Sequence, residues 1–150
     1  MLKILVIHGP NLDLLGRREP EVYGKVTLKE INDALEELAK SKNVALTVFQ
    51  SNHEGEIVSI VGKASAEFNA LLINPAAYTH TSVAIRDAIL SLSIPVIEVH
   101  LSNIYAREEF RSKSLISPVV KGGVYGFGLE SYILGLNAAI PLAKQNATEK

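Results

Sequence analysis

Two hydrophobic periodicities alternate along this chain. Apolar runs of strand length, rich in Val, Ile and Leu, occupy residues 2–7, 44–49, 70–73, 95–99 and 119–125. Strands that are apolar on both faces are typical of a parallel sheet covered by helices on each side. The pattern therefore predicts five parallel strands.

Helical periodicity fills the intervals between these runs. Thr27 and Glu30 form a capping box, and the apolar residues at 28, 31, 35 and 38 then share one helical face up to residue 42. Further helices are predicted over 57–64, 83–89 and 129–140, and Pro141 is expected to kink or end the last one. Strict alternation of strand and helix indicates an α/β fold. We expect a flavodoxin-like, doubly wound sheet in strand order 2-1-3-4-5.

The connection after the first strand is unusually long. Residues 8–24 read HGPNLDLLGRREPEVYG, and structureless connections of this length are usually functional or disordered. The leucines, the arginines and Tyr23 favour a lid over about residues 11–24. No repeat, low-complexity tract or linker interrupts the chain, which predicts one catalytic domain over 1–150.

Composition narrows the possible partners. The chain has 150 residues, 47% of them hydrophobic and 21% charged, with a formal net charge of -1. This balance, without a long basic run, gives no electrostatic reason to expect a nucleic acid or a membrane as partner. The chain has no Cys, which excludes disulfides and thiolate chemistry. The short N-terminal apolar run does not match a signal peptide. We expect a soluble, unprocessed, cytoplasmic protein.

Three polar clusters follow neighbouring strands of the predicted sheet. Asn11 and the lid follow the first strand, residues 74–82 follow the third and residues 100–103 follow the fourth. In open α/β sheets the ligand crevice lies beyond the carboxyl ends of the strands, near the point where strand order reverses. The three clusters are therefore predicted to form one pocket.

The histidines of these clusters differ in how well a structural role explains them. Glu98 and His100 are two residues apart on a strand, so both can lie on one face, where the carboxylate orients the imidazole and favours its protonated form. His80 lies near a helix start, where capping explains the neighbouring hydroxyls but not the imidazole. Asn11 and Asn74, taken singly, are explained as turn formers.

The predicted lid combines a phenol with two cations. A phenol has a reference pKa of about 10 and becomes a usable base near neutral pH when a nearby guanidinium stabilises the phenolate. Arg17 and Arg18 both lie within reach of Tyr23, and spacing does not choose between them. Arg107 is interpreted as a surface ion pair with neighbouring glutamates, and Asp87 as a solvated helix charge.

Several reaction classes lack their motifs. The four histidines, His8, His53, His80 and His100, are scattered and lack metal-ligand spacing. A nucleophile elbow and a phosphate-binding loop are missing, and the glycines at 122–128 precede the last helix, not the first. What remains is a pocket without cofactor or metal, whose candidate Tyr base and His acid suit proton abstraction beside a carbonyl.

Three segments together carry a family resemblance. Residues 8–24, 74–82 (NPAAYTHTS) and 98–111 (EVHLSNIYAREEFR) resemble the signature blocks of the type II 3-dehydroquinate dehydratases. The resemblance implies a flavodoxin-like subunit, commonly assembled as a dodecamer built from trimers. It also implies the reversible dehydration of 3-dehydroquinate to 3-dehydroshikimate without Schiff base or metal. The same step serves the shikimate pathway of aromatic amino acid biosynthesis and quinate breakdown.

The resemblance assigns catalytic roles residue by residue. It implies that Tyr23, as phenolate, takes a proton from the carbon beside the ketone and that Arg18 stabilises this phenolate. Asn11 is implied to hold a water that stabilises the enolate. His100, oriented by Glu98, is implied to protonate the departing hydroxyl.

The resemblance also implies a substrate-binding set, which comprises Asn74, His80, Asp87, Leu101, Ser102 and Arg111. Asn74, Ser102 and the amide of Leu101 would meet the substrate carboxylate. His80 and Arg111 would hold ring hydroxyls, and Asp87 would reach the pocket of an adjacent subunit. The chain departs from the family pattern at Asp13, Ala76 and Tyr105, where Asn, Gly and His respectively are frequent.

Two other functions remain open from the residues alone. A catalytically silent flavodoxin-like module would bind a small anion such as a flavin phosphate and would be yellow when purified. A different lyase or isomerase would use the same Tyr and His on another hydroxy-ketone acid, and would not turn over 3-dehydroquinate.

Overall fold

Five parallel strands form one sheet in the computed structural model, which describes residues 1–149. The strands are β1 (Leu2–His8), β2 (Val44–Gln50), β3 (Ala70–Asn74), β4 (Val96–His100) and β5 (Gly122–Tyr125). They lie in the order β2-β1-β3-β4-β5, and every neighbouring pair is parallel. The predicted fold class and strand order are confirmed.

Five α-helices connect or follow the strands: α1 (Pro20–Tyr23), α2 (Leu28–Ser41), α3 (Glu54–Glu67), α4 (Val83–Leu90) and α5 (Leu129–Thr148). The predicted cap of α2 is present, because the Thr27 hydroxyl accepts a hydrogen bond from the Glu30 amide at 3.2 Å. Ser82 caps α4 by accepting from the Ile85 amide at 2.9 Å. No helix within residues 1–149 is both long enough and apolar enough to cross a membrane.

The sheet separates two apolar layers. Alternate residues of β1 point to opposite faces, so Ile4 and Val6 belong to one layer whereas Leu5 and Ile7 belong to the other. The first layer contains buried residues of α2 and α5, and the second contains buried residues of α3 and α4. A Cβ at Gly135 of α5 would meet Val99 at 2.7 Å, so this helix packs directly on the sheet.

Two predicted boundaries are wrong, both near a proline. The last strand begins at Gly122 instead of residue 119, because Ser117–Val119 forms a 3-10 turn whose Pro118 lacks an amide hydrogen. Pro141 is expected from the sequence to kink or end the last helix, and the end does not occur there, because α5 continues to Thr148. Buried contacts of Ile140 and its neighbours with the core offset the one helical hydrogen bond that Pro141 cannot make.

Polar residues end four of the five strands. His8, Gln50, Asn74 and His100 are the last residues of β1 to β4, and all strands point the same way. These four residues therefore lie at the same end of the sheet, the carboxyl ends of the strands. Gly9 follows β1 at this end. A Cβ at Gly9 would lie 2.5 Å from the Pro75 carbonyl, so only glycine permits this close approach after β1 and β3.

Candidate active site

A cleft lies beyond the carboxyl ends of β3 and β4, beside the segment that follows β1. Most of the residues predicted from the sequence line it: Arg18, Tyr23, Asn74, His80, His100, Leu101, Ser102 and Arg111. They come from the lid, from two strand ends and from the connections after β3 and β4. The tertiary fold thus brings together side chains from all three clusters.

Three predicted residues lie outside the lining. Glu98 is behind His100, with its Oε2 2.6 Å from the imidazole Nε2. Asn11 begins the lid in a left-handed conformation, φ 68°, and its amide donates to Asn52 Oδ1 at 2.9 Å. Asp87 is exposed on α4. Asp87 therefore does not contribute to the cleft of its own subunit.

The predicted lid segment is folded over the cleft. It contains a 3-10 turn at Leu12–Leu14 and the short helix α1, and it contributes Leu12, Arg18 and Tyr23 to the lining. Positive φ angles bracket α1, at 38° for Glu19 and 73° for Gly24. Tyr23, the last residue of this short helix, lines the cleft.

Two cations flank the phenol of Tyr23. The Arg107 guanidinium donates from Nη1 to the phenolic oxygen at 2.8 Å, and the Arg18 guanidinium carbon lies 5.4 Å from the ring centroid. Both contacts place a positive charge beside the phenol. Arg18, not Arg17, lines the cleft; Arg17 is exposed.

The interpretation of Arg107 as a surface ion pair is wrong. Its partner is Tyr23, 84 positions away in the sequence, and no local pattern couples residues at that separation. One signal was available. Arg107 follows β4 by only a few residues, as the predicted site residues Leu101 and Ser102 do, so it lies at the same sheet edge.

His100 and Glu98 form a buried pair at the end of β4. Their residues are 7% and 2% exposed respectively. Burial by itself would raise the pKa of Glu98, but the hydrogen bond and charge of His100 and the hydroxyls of Ser117 and Ser114 outweigh it, so the pKa of Glu98 is lowered. The ionised carboxylate accepts a hydrogen bond from His100 Nε2 at 2.6 Å and fixes the orientation of the ring.

A buried hydrogen-bond chain orients Asn74. Its amide nitrogen donates to the Tyr132 hydroxyl at 3.0 Å, and its oxygen accepts from the Ala76 amide at 3.0 Å. The Tyr132 hydroxyl contacts His8 Nδ1 at 3.0 Å, and His8 Nε2 contacts Asn32 Oδ1 at 2.8 Å. Because the Asn32 oxygen only accepts, Nε2 of His8 carries the proton and Nδ1 accepts from Tyr132.

The same chain shifts the pKa values of its members. Burial lowers the pKa of His8 to about 4, against the opposing hydrogen bond to Asn32. Burial also raises the pKa of the Tyr132 phenol, against the hydrogen bond from Asn74. Both groups are therefore neutral at neutral pH. Sequence reasoning assigned Tyr132 only to an apolar helix face and did not find its contact with Asn74.

His80 and Arg111 also line the cleft. Burial lowers the pKa of His80, and the positive charges of His100 and Arg111 act in the same direction, whereas the hydrogen bond to the Lys113 carbonyl opposes them. His80 Nδ1 donates to that carbonyl at 2.8 Å. Its Nε2 is therefore the acceptor, and the neutral ring suits hydrogen bonding to a ligand hydroxyl.

The charges of this cleft favour an anionic ligand. Arg18, Arg107 and Arg111 contribute three guanidinium groups to the lining. Within residues 1–149, no three His, Asp or Glu side chains converge in the manner of metal ligands. The lining thus offers a phenol beside cations, an imidazole beside a carboxylate, and hydrogen-bond donors for an anion.

Comparison with known proteins places the chain in a family. The sequence model of "Dehydroquinase class II" matches residues 2–140. The chain belongs to the dehydroquinase class II family. It is 58% identical over 137 residues to the 3-dehydroquinate dehydratase of Acaryochloris marina, covering 91% of this chain and 92% of that protein. The enzyme of the same name from Geotalea daltonii is 56% identical over 137 residues, 91% of this chain and 95% of its own.

Solved structures agree with the sequence relatives. The crystal structure of a type II dehydroquinase from Butyrivibrio crossotus matches with a TM-score of 0.91 and 45% identity, covering 93% of this chain and 97% of that one. The resemblance inferred from the three motif segments is confirmed, and the chain is an enzyme of the dehydroquinase class II family.

Proposed function

We propose that this chain reversibly dehydrates 3-dehydroquinate to 3-dehydroshikimate through an enolate, with Tyr23 as base and His100 as acid. The names of its relatives support the substrate. The observation that carries the mechanism is the hydrogen bond from Arg107 to the Tyr23 phenol, in a cleft that also contains the Glu98-bound His100.

Tyr23 begins the reaction as a phenolate. Arg107 and Arg18 stabilise this form by a hydrogen bond and by a cation near the ring. The phenolate takes a proton from the carbon beside the substrate ketone, and the electron pair of that C–H bond moves onto the carbonyl oxygen to give an enolate. A water held by Asn11 stabilises the enolate oxygen by hydrogen bonding.

His100 completes the elimination as general acid. Glu98 stabilises its imidazolium, which donates a proton to the hydroxyl leaving from the carbon next to the deprotonated one. The enolate collapses, the C–O bond breaks, and water and a conjugated enone are formed. None of the described residues lining the cleft is a lysine, which supports a route without a Schiff base.

The rest of the cleft binds the substrate. Asn74, Ser102 and the Leu101 amide bind the substrate carboxylate. Asn74 is held in one orientation for this contact by Tyr132 and Ala76. His80 and Arg111 hold the ring hydroxyls. This division leaves Tyr23 and His100 on the two sides of the ring where protons are removed and added.

Asp87 acts in a neighbouring subunit's cleft, within a homododecamer built from trimers. Its exposed position on α4 supports this, as do Val83 and Leu90 of the same helix, apolar residues that are 57% and 59% exposed. Light scattering should give the mass of twelve chains, and a monomeric mass would contradict the assembly. The single catalytic domain over 1–150, the lid role of residues 11–24 and the cytoplasmic location stay predictions.

An ultraviolet assay for the conjugated enone tests the proposed reaction. Purified protein mixed with 3-dehydroquinate should produce the enone absorbance, and pretreatment with borohydride and substrate should leave the rate unchanged. No absorbance increase from a folded, correctly assembled sample would contradict the substrate. Inactivation by borohydride in the presence of substrate would contradict the enolate route without a Schiff base.

A further inference from the structure

Two serines hold the carboxylate behind His100. The Ser114 hydroxyl donates to Glu98 Oε2 at 2.8 Å, and the Ser117 hydroxyl donates to Glu98 Oε1 at 2.5 Å. With His100 Nε2 at 2.6 Å from Oε2, the carboxylate has three hydrogen-bond partners. No element of the proposed mechanism uses either serine.

We propose that Ser114 and Ser117 are positioning residues for proton transfer by His100, because they keep the Glu98 carboxylate ionised and fixed in the orientation that holds the imidazole. The inference rests on the proposed function, in which His100 is the general acid. The serines touch neither substrate nor reacting atoms and act through Glu98.

The strands beside Glu98 cannot replace these hydroxyls. Its neighbours in register are Ile73 on β3 and Gly123 on β5, and neither has a polar side chain. Without Ser117, Oε1 of a residue that is 2% exposed would lose its hydrogen bond. A buried charge that loses a partner is strongly destabilised. Glu98 would then take up a proton or turn away from His100.

The titratable groups that interact with Glu98 come from two elements. His100 lies on β4, and His80 lies on the 3-10 turn over Ala76–His80. Arg111, on the turn over Glu109–Ser112, acts on His80, and Lys113 after that turn is exposed. Burial raises the pKa of Glu98, while His100 and the two hydroxyls lower it. Removal of the hydroxyls should therefore raise the pKa of Glu98.

The segment that contains the serines is anchored from two sides. The Leu115 amide donates to the Thr79 carbonyl at 2.9 Å, and the Arg86 guanidinium donates to the Leu115 carbonyl at 2.7 Å. The Ser114 hydroxyl also accepts from the Ser117 amide at 3.0 Å, which fixes the two serines relative to each other. The hydroxyls are thus held in place before any ligand binds.

Single substitutions test the positioning role. In Ser117→Ala and Ser114→Ala, kcat for 3-dehydroquinate should fall about tenfold or more, the usual effect of losing a hydrogen bond to a charged group, whereas KM should change little. Ser117→Thr retains a hydroxyl and should recover most of kcat. Ser112→Ala is the matched control, because the Ser112 hydroxyl donates only to the Glu109 carbonyl; its kcat should equal that of the unmodified protein.

Infrared difference spectroscopy reads the protonation of Glu98 directly. Spectra taken over the pH range in which the protein stays folded, with Glu98→Gln to identify the carboxyl band, should show a higher midpoint in Ser117→Ala than in the unmodified chain. Ser117→Ala is the deciding variant because Ser114 also supports its turn.

The two readouts separate the inference from the proposed function. An unchanged carboxyl midpoint in Ser117→Ala, or an equal loss of kcat in Ser112→Ala, would overturn the positioning role even if 3-dehydroquinate is turned over normally. A raised midpoint in a protein that does not turn over 3-dehydroquinate would support the serines' effect on Glu98 and overturn only the proposed function.

Discussion

The two halves of the candidate site are built in different ways. The half at the sheet edge contains Glu98, His100 and Asn74, all at most 7% exposed, at the ends of strands that are paired on both sides. The lid half contains Tyr23 on a four-residue helix between two positions of positive φ, where the side chain is half-buried. The proposed acid is thus held at the buried end of a paired strand, whereas the proposed base lies on a short helix outside the sheet.

This contrast identifies Arg107 as the connection between the halves. It lies after β4, and its guanidinium donates to the Tyr23 phenol at 2.8 Å. The proposed partner of the phenolate therefore also connects α1 to the segment that follows β4. Substitutions can test these parts one at a time. A change at Tyr23 tests the proposed chemistry, and a change at Arg107 tests the contact between the two halves. A change in the buried hydrogen-bond chain behind Asn74 tests the stability of the core.

The largest effect is expected at the lid phenol. Tyr23→Phe removes the proposed base and the acceptor of the Arg107 hydrogen bond but keeps the ring. Because loss of a general base typically costs about 10² to 10⁴ in rate, turnover of 3-dehydroquinate should fall by that factor while the thermal unfolding midpoint stays nearly unchanged. Steady-state kinetics and circular dichroism measure the two quantities, and residual activity above a tenth would contradict the role of Tyr23.

A graded series of arginine variants should follow. Arg107→Ala removes the hydrogen bond to the phenol and should reduce kcat/KM by about 10², Arg18→Ala removes only the cation near the ring and should cost less, and the exposed Arg17→Ala should cost least. The kcat/KM of the three variants measures this order. Equal losses in all three would indicate that charge alone, and not the hydrogen bond, stabilises the phenolate.

For the buried half of the site, we expect pH to change the free energy of unfolding and not the reaction rate. Burial lowers the pKa of His8 to about 4 from 6.5 in the unfolded chain. Between these values the unfolded state binds more protons, so the free energy of unfolding should decrease as pH falls from 6.5 to 4, by about 3 kcal/mol in total. Urea unfolding at fixed protein concentration measures this slope.

Two variants isolate the His8 contribution. His8→Gln removes the titrating ring and should flatten the slope over this pH window, even though its absolute stability falls. His53→Gln, at an exposed histidine, should keep the slope of the unmodified chain. A slope equally steep in His8→Gln would assign the pH dependence to other groups.

The sequence by itself determined the layers of this protein and most of the site. Continuous apolar runs predict the strands, and apolar residues with period 3.6 predict the helices, because burial of both faces of a strand or one face of a helix is a local requirement. The parallel alternation then brings the residues after β1, β3 and β4 to one edge, which is why Tyr23, His80 and His100 could be placed in one pocket. The motif resemblance selected Arg18 over Arg17, a choice that spacing had left open.

Only the tertiary structure determines the contacts between residues that lie far apart in the sequence, because no periodic pattern predicts them. Arg107 meets Tyr23 across 84 positions, Asn74 meets Tyr132 across 58, and Ser117 meets Glu98 across 19. Hydrogen bonds of this kind depend on the distance between side chains after packing, which no local pattern encodes. The same applies to Pro141, where burial of α5 against the sheet outweighs a local rule for helix termination.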